Sequence, residues 1–417
     1  MTFWETLRTP ALPPTPALPR PLDTTLGWVL AAFGFFLPFA VAGVSLLLLA
    51  LAVMALIAAP AVWRSAPWRD PVMAVGLVLL AYITVHTLWT SGFTSSAWQA
   101  VNRYHELIMA PVLLALFRMV SRKRLFFWGL ACGALGYAAV HWVALFWHRL
   151  ALYLDPRHIS AGFGLALCAF VLLEQARSSA RPWALRGAAL FLAVTVLFVI
   201  QSRTGHVVLL LLVACAAWIH SPRRWRWGAM IALPLAVLAL GLSSTAVQKR
   251  MGDTLSGSQP GPDGQLSSTG IRIELLRNGL DLAGQHYLAG AGFTRYAQVH
   301  EKLAQARYGT DPARRQYLQA PWVRTANPHN EYLMQLVGGG FAALTLFLAW
   351  LVLPMMRKGQ SVGVHTSLVG IALAFAAGSL FNSLLMDFVE GHLYVALLVW
   401  LLAQSAGRPA QAASGAT

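Results

Sequence analysis

Charged residues are scarce in this 417-residue sequence, at 11% against about 25% in soluble proteins. Acidic residues are the scarcest, with 15 Asp and Glu beside 31 Lys and Arg. Apolar residues make up 57% of the chain and form long runs that carry few charges. Such runs exclude an ordinary soluble enzyme and a disordered chain. The sequence therefore predicts a membrane protein that crosses the bilayer many times.

Cysteine and the common metal and nucleotide motifs are also scarce or missing. The three cysteines, Cys132, Cys168 and Cys215, lie inside apolar runs, so no disulfide framework and no CxxC metal site is expected. We find no Walker phosphate loop, GxGxxG, HExxH or GxSxG motif in the sequence. We therefore expect no metal and no cofactor. The net charge of +16 does not indicate nucleic-acid binding, because most basic residues lie in short links between apolar runs.

Twelve apolar runs predict transmembrane helices, since one crossing needs about 20 residues. They cover approximately residues 24–40, 43–63, 71–91, 104–120, 125–147, 159–175, 184–201, 204–220, 227–244, 331–353, 362–383 and 391–406. The predicted fold class is all-α, a polytopic membrane protein with about 12 spans and one long loop that contains helices. The links near Pro38–Gly43 and Ser202–Gly205 are short enough to indicate a broken or re-entrant helix at either place.

The distribution of basic residues predicts the orientation of the chain. Seventeen Lys and Arg fall in links on one side of the predicted membrane, and four fall in short links on the other. The side with more basic residues is expected to be cytosolic, and both termini lie on it. The predicted organisation is a Pro-rich cytosolic tail (1–23), spans one to nine (24–244), an outward-facing loop (245–330), spans ten to twelve (331–406) and a cytosolic tail (407–417).

Residues 245–330 form the one substantial segment outside the predicted spans. Gly252–Ser268 is a Gly/Ser/Pro-rich stretch, and a helix is predicted over Ile271–Ala283 with Thr269 as its N-cap and Gly284 as its stop. Long loops of this kind are more often functional than not.

One face of this loop helix is predicted to be apolar. Ile273, Leu276 and Leu280 recur at spacings of three and four residues, which is the helical period.

Two arginines near the ends of predicted helices are candidate phosphate ligands. Arg203 lies between two apolar runs, and Arg272 lies in the first turn of the loop helix. A guanidinium group offers two parallel donors to phosphate oxygens, and a helix N-terminus favours an anion. The alternatives are an interfacial arginine that reaches toward the headgroups and a solvated arginine paired with a nearby acid.

His329 lies directly before the tenth predicted span, after Pro328. A neutral histidine is the usual general base near pH 7, and Asn330 and Glu331 are placed in sequence to orient its imidazole. The spacing matches no metal-ligand template. A purely structural histidine at the membrane surface is the alternative.

Asp387 and Glu390 lie in the last outward link and are the only acidic residues after Glu331. They could orient His329, neutralise an arginine or be solvated loop charges. The pair Arg157–His158 is a further outward basic group that could contact phosphate.

The order of these elements resembles that of the O-antigen ligase and O-antigen polymerase superfamily. The resemblance covers roughly residues 201–343 and rests on Ser202–Arg203, Gly270–Glu274, Leu288–Phe293, Pro328–Leu333 and Gly338–Phe341. It implies a metal-independent glycosyltransferase in the bacterial inner membrane, with its active site at the periplasmic face. Members take a glycan from undecaprenyl pyrophosphate, and the ligases transfer it to a sugar hydroxyl of lipid A–core in lipopolysaccharide biosynthesis.

The resemblance also assigns roles to residues. It implies that Arg203 and Arg272 engage the donor pyrophosphate and that His329 is the essential histidine. We place Asn330, Glu331 and Asp387 with them in the predicted substrate site. A single displacement with His329 as general base inverts the anomeric carbon. The expected partners are the lipid-linked glycan, lipid A–core and membrane lipids, and no nucleic acid.

Three other functions stay open from the sequence. An O-antigen polymerase and a protein O-oligosaccharyltransferase share the same signals, and the ligase is preferred for the moderate length of the loop and its position between spans nine and ten. A lipid or solute transporter belongs to a different class. Its polar residues would line a path at mid-membrane, whereas the candidates here cluster near the outer surface.

Overall fold

The computed structural model describes residues 17–154, 158–244, 248, 266–312, 314–357 and 360–405. These residues form α-helices and short 3-10 turns, with no strand among them. The predicted all-α fold is confirmed. Most of the tail 1–23, Arg157, most of Gly252–Ser268 and the tail 407–417 lie outside the described residues.

The described helices are numbered here in chain order. They are α1 (Arg20–Phe36), α2 (Val41–Ile57), α3 (Ala59–Ser65), α4 (Pro71–Ser91), α5 (Ser95–Asn102), α6 (Glu106–Met119), α7 (Arg124–Ala144), α8 (His148–Leu154), α9 (His158–Ala176), α10 (Pro182–Phe198), α11 (Arg203–His220), α12 (Arg226–Gly241), α13 (Ser268–His286), α14 (Tyr296–Tyr308), α15 (Glu331–Val352), α16 (Val362–Gly378) and α17 (Phe388–Ser405). Each of the twelve predicted spans overlaps at least one of these helices, and the span 43–63 covers both α2 and most of α3. The additional helices are α5, α8, α13 and α14.

Five of the helices, α4, α7, α9, α11 and α15, are long and apolar enough to cross a membrane. Helix α2 and residues Ala59–Arg69 meet the same criterion together but are bent by 86°. The bend lies beside Ala58, so it is at neither of the two short links where a broken helix was considered. Helices α10, α12, α16 and α17 are apolar and shorter. The chain is a polytopic membrane protein by these features.

Close helix contacts depend on small residues, as is typical of membrane helices. A Cβ at Gly129 or Gly133 of α7 would lie 1.9 or 2.0 Å from the carbonyl oxygens of Ala31 and Phe35 in α1. Helix α9, the most buried of the five long helices, contacts α10, α11 and α16. The core of the molecule therefore surrounds α9.

The two ends of the bundle differ in chemistry. We call the end where α9, α11, α15 and α17 begin the His329 end, and the opposite end, with the links 120–123, 177–181, 221–225 and 353–361, the basic end. At the basic end the buried Asp70 carboxylate contacts the guanidinium groups of Arg118 and Arg357. This buried ion cluster joins the start of α4 to the end of α6 and to the link that follows α15.

The loop helix begins earlier and ends later than the sequence predicts. Helix α13 starts at Ser268, and Ser267 is its N-cap, because the Ser267 hydroxyl accepts a hydrogen bond of 3.1 Å from the Gly270 amide. The prediction of Thr269 as the cap is therefore wrong. Gly284 does not stop the helix, which continues to His286.

Two of the three residues on the apolar face of α13 are exposed. Leu276 and Leu280 are 44% and 56% exposed, while Glu274, Leu275, Asn278 and Leu282 are buried. The polar members of this buried face contact α14: the Tyr308 hydroxyl donates to Glu274 Oε2 at 2.7 Å and lies 3.2 Å from Asn278 Nδ2. Polar groups that satisfy one another can be buried beside leucines.

Candidate active site

His329 lies in a strained turn just before α15. Its φ angle is 51°, in the left-handed region that residues with a Cβ seldom occupy. The Asn327 side chain fixes this turn, because Asn327 Oδ1 accepts the His329 amide at 2.8 Å and the Ser383 hydroxyl at 2.7 Å. Strain of this kind persists only where surrounding contacts enforce it, and it clusters at functional sites.

A chain of side-chain hydrogen bonds leads from the His329 imidazole to a carboxylate. His329 Nδ1 lies 3.0 Å from Asn382 Oδ1, and Asn382 Nδ2 donates to Asp387 Oδ2 at 2.5 Å. Since the amide nitrogen of Asn382 faces Asp387 and its oxygen faces the imidazole, the oxygen accepts from a protonated Nδ1. This arrangement assigns the lone pair of the neutral imidazole to Nε2.

Asn330 and Glu331 hold the 379–387 link, which carries Asn382, against α15. Asn330 caps α15 and donates from Nδ2 to the Leu380 carbonyl at 3.0 Å. The buried Glu331 carboxylate accepts the Leu385 amide at 3.0 Å and Gln335 Nε2 at 2.8 Å. Both side chains therefore orient His329 indirectly, by holding in place the link that carries Asn382. The sequence suggests direct contact with the imidazole instead.

The surroundings of Asp387 disfavour its charged form. Burial, and then the negative charges of Glu390 and Glu331, raise the pKa of Asp387 to about 8, with Arg103 acting in the opposite direction. Glu390 is 2% exposed and accepts the Ser160 hydroxyl at 2.7 Å. The alternative of a solvated loop charge is therefore wrong for Glu390.

Arg203 is brought to the first turn of α13. It is the first residue of α11, and its Nη1 donates to Thr269 Oγ1 at 2.5 Å. Arg272 lies one helical turn after Thr269 on α13. The two predicted phosphate ligands therefore belong to adjoining helix N-termini, where backbone N–H groups also favour an anion.

Helix α9 connects the arginine region to the carboxylates. Gly162 packs so closely on α11 that a Cβ there would lie 2.4 Å from Ser202 Cβ. Two residues earlier, Ser160 contacts Glu390 at the start of α17. His158, the first residue of α9, lies at this same end, and its predicted partner Arg157 is outside the described residues.

Helix α13 connects the arginine region to His329 on another side. A Cβ at Gly279 would lie 2.7 Å from Leu333 Cδ1, one turn beyond His329 on α15. Arg272 and Gly279 are separated by about 10 Å along the helix axis. The structure thus gathers Arg203, the Arg272 turn and His329 at one end of the bundle.

Among the described side chains, no group of three or more His, Cys, Asp or Glu is arranged to hold a metal ion.

Asn382 is the residue of this site that sequence reasoning misses. It lies in a link between two apolar helices, 53 residues after the histidine it contacts. Its one signal in the sequence is a polar Asn-Ser pair in a stretch with few polar residues.

A family model matches part of the chain. Residues 188–348 match the model of a family described as O-antigen ligase. The match begins within α10 and ends within α15, so it includes Arg203, Arg272 and His329, and it ends before Asn382. No curated protein matches the chain. The predicted resemblance is confirmed over this part of the sequence.

Proposed function

We propose that this chain, whose residues 188–348 match the O-antigen ligase family model, is an O-antigen ligase. In this proposal it transfers a glycan from undecaprenyl pyrophosphate to a sugar hydroxyl of lipid A–core at the periplasmic face of the inner membrane. The observation that carries the proposal is the His329–Asn382–Asp387 chain at the same end of the bundle as the Arg203–Thr269 contact.

His329 is the general base in this proposal. Its Nε2 accepts the proton of the acceptor hydroxyl as the hydroxyl oxygen bonds to the anomeric carbon of the donor glycan. The bond from that carbon to the pyrophosphate oxygen breaks at the same time, and the oxygen leaves with the electron pair. Attack from the face opposite the leaving group inverts the anomeric carbon. Asn382 keeps Nδ1 protonated and directs Nε2 toward the acceptor.

Arg203 and Arg272 bind the pyrophosphate in this proposal. The negative charge on the bridging oxygen grows as its bond to carbon breaks, so fixed guanidinium groups stabilise the transition state more than the bound donor. The helix dipole of α13 adds partial positive charge at the same place. Asp387 contributes through Asn382.

Two related functions use the same chemistry with another acceptor. A polymerase would extend the lipid-linked glycan, and a protein O-oligosaccharyltransferase would glycosylate a side-chain hydroxyl. A transporter is disfavoured because the polar cluster lies at one end of the bundle, whereas transported substrates bind near mid-membrane.

The test is transfer in vitro with purified protein, undecaprenyl-pyrophosphate-linked glycan and lipid A–core, with and without a chelator. We expect lipopolysaccharide product that survives chelation. His329→Ala should lower the transfer rate by about 100-fold or more, the usual contribution of a general base. His365→Ala, in α16 near the basic end, is the matched control and should retain activity.

Each other outcome of this assay is informative. Elongated lipid-linked glycan in place of lipopolysaccharide would identify a polymerase. Full transfer by a folded His329→Ala protein would remove the general-base assignment. Loss of product on chelation would refute the metal-independent mechanism.

A further inference from the structure

A large basic cavity lies at the basic end, remote from His329. Its volume is about 1110 Å³, and it is bounded by the 120–123 and 177–181 links, the start of α16 and the end of α17. Five basic side chains line it: Arg122, Lys123, Arg124, Arg177 and Arg181. Along α9, the Glu174 rim of this cavity is about 20 Å from Ser160 at the His329 end. The cavity is therefore separate from the proposed active site.

The positive charge of this cavity is not neutralised by its lining. Among the described lining residues the one carboxylate is Glu174, which already contacts His220 Nε2 at 2.6 Å and Arg177 Nη1 at 3.9 Å. Burial, and then the nearby positive charge of Arg118, lower the pKa of Lys123. A bound anion would relieve this crowding of like charge.

Two glutamines in the same lining have unsatisfied polar atoms. Both polar side-chain atoms of Gln360 and the Nε2 of Gln404 are buried without a hydrogen-bond partner among the described residues. Buried polar atoms nearly always have a partner, so a polar ligand or water is expected next to them. Their donors are suited to phosphate oxygens.

An apolar cavity adjoins the basic one. Its volume is about 810 Å³, it lies between α11, α12 and α16, and it shares Gln360 and Val362 with the basic cavity. Its lining is largely apolar and includes Leu211, Trp218, Trp227, Met230 and Leu373. A ligand that fills both cavities therefore needs an anionic head and a hydrocarbon tail.

We propose that the basic end binds a phosphate-bearing lipid, with its headgroup in the basic cavity and an acyl chain in the apolar cavity. Basic pockets between membrane helices bind anionic headgroups through the same charge complementarity. The headgroup would contact the 120–123 and 177–181 links and the facing ends of α16 and α17, so the bound lipid would hold α9, α16 and α17 together. A soluble phosphate compound shares the headgroup chemistry but does not account for the apolar cavity.

The test is native mass spectrometry of the full-length chain in detergent, with added phosphatidylglycerol or phosphatidylcholine. We expect the wild type to retain phosphatidylglycerol preferentially. Arg122→Gln/Arg124→Gln/Arg181→Gln should lower its occupancy about tenfold or more, because it removes three of the five positive charges that line the basic cavity. Arg69→Gln/Arg223→Gln/Arg224→Gln removes the same charge from residues outside both linings and should bind like the wild type.

Two further arms distinguish the source of the phosphate. Ala214→Phe fills the apolar cavity, so we expect it to reduce lipid occupancy several-fold. Inorganic phosphate at millimolar concentration should displace little lipid.

Wild-type binding by the folded triple variant, or an equal loss in the control, would overturn the proposal. If the triple variant does not fold, the single variants Arg122→Gln and Ala214→Phe test the proposal. Wild-type lipid binding by both of these variants would contradict it. Displacement by inorganic phosphate without an effect of Ala214→Phe would assign the cavity to a soluble anion.

Discussion

The conformation of His329 shows how a single side chain is prepared for one role. The left-handed backbone at this position costs on the order of 1 kcal/mol or more, which the bonds through Asn327 offset. The imidazole is then held by one acceptor, Asn382 Oδ1, on its Nδ1 side. The result is a ring whose orientation and tautomer are both fixed by neighbouring side chains.

We expect Asn382 to be a positioning residue for His329. Asn382→Leu keeps the size of the side chain but removes the acceptor for Nδ1–H, so the imidazole can adopt the other tautomer or rotate. The kcat of transfer should fall about 10- to 100-fold, the usual cost of losing such a supporting contact, while KM for the donor changes little. Asn102→Leu, on the exposed end of α5, is the control.

Steady-state kinetics with varied donor concentration measure this effect. An Asn382→Leu protein with wild-type kcat would show that the imidazole does not depend on the amide. An increase in KM without a change in kcat would instead place Asn382 in donor binding.

At the scale of residues, the sequence identifies chemistry better than contacts. His329, Arg203 and Arg272 stand out because ionisable groups are rare in this chain and are costly near a membrane. Asn382 does not stand out in this way, since it is uncharged and its role is visible only from the residues it contacts. Those partners lie 53 and 5 residues away, and the longer separation is set by the packing of α15 against the 379–387 link.

At the scale of elements, apolar length predicts helices, and polar contacts determine which face is buried. All twelve predicted spans coincide with helices, because an uncharged run of this length has few other stable structures in a membrane. The leucine spacing of α13 does not mark its buried face, because Leu276 and Leu280 are exposed while Glu274 and Asn278 bond to Tyr308 of α14. His300 of α14 shows the same effect: it is fully buried and bonded to Asn278 and the Val323 carbonyl.

The contact between α9 and α11 gives a prediction at this scale. A Cβ at Gly205 would lie 2.6 Å from Gly162 Cα, so Gly205→Ala must push the two helices apart. We expect a loss of about 1–3 kcal/mol in stability and a loss of transfer activity, because Arg203 lies two residues away. Gly187→Ala in α10 is the matched control, since a Cβ there has no atom within 4 Å.

Thermal unfolding in detergent and the transfer assay check this prediction together. Gly187→Ala should be neutral or slightly stabilising, as expected for alanine in a helix. If the Gly205→Ala protein has the melting temperature and activity of the wild type, the prediction is contradicted. Close packing of α9 on α11 would then not contribute to stability at this position.

At the scale of the whole molecule, charge divides the protein into two ends with different tasks. The His329 end holds buried carboxylates and the proposed chemistry, while the basic end collects arginines around the cavities and the Asp70 cluster. Since Lys and Arg are enriched in the cytosolic links of membrane proteins, we propose that the basic end is cytosolic and the His329 end periplasmic. The proposed use of a lipid-linked donor at the periplasmic face depends on this orientation.

Cysteine labelling in intact cells tests the orientation. In a protein whose native Cys132, Cys168 and Cys215 are replaced by alanine, Ser96→Cys at the start of α5 should react with a membrane-impermeant maleimide. Ser179→Cys, in the α9–α10 link of the basic end, should react only after the membrane is permeabilised. The reverse pattern would place the arginine-rich links outside, and His329 would then face the cytosol and not the compartment where the proposed acceptor is found.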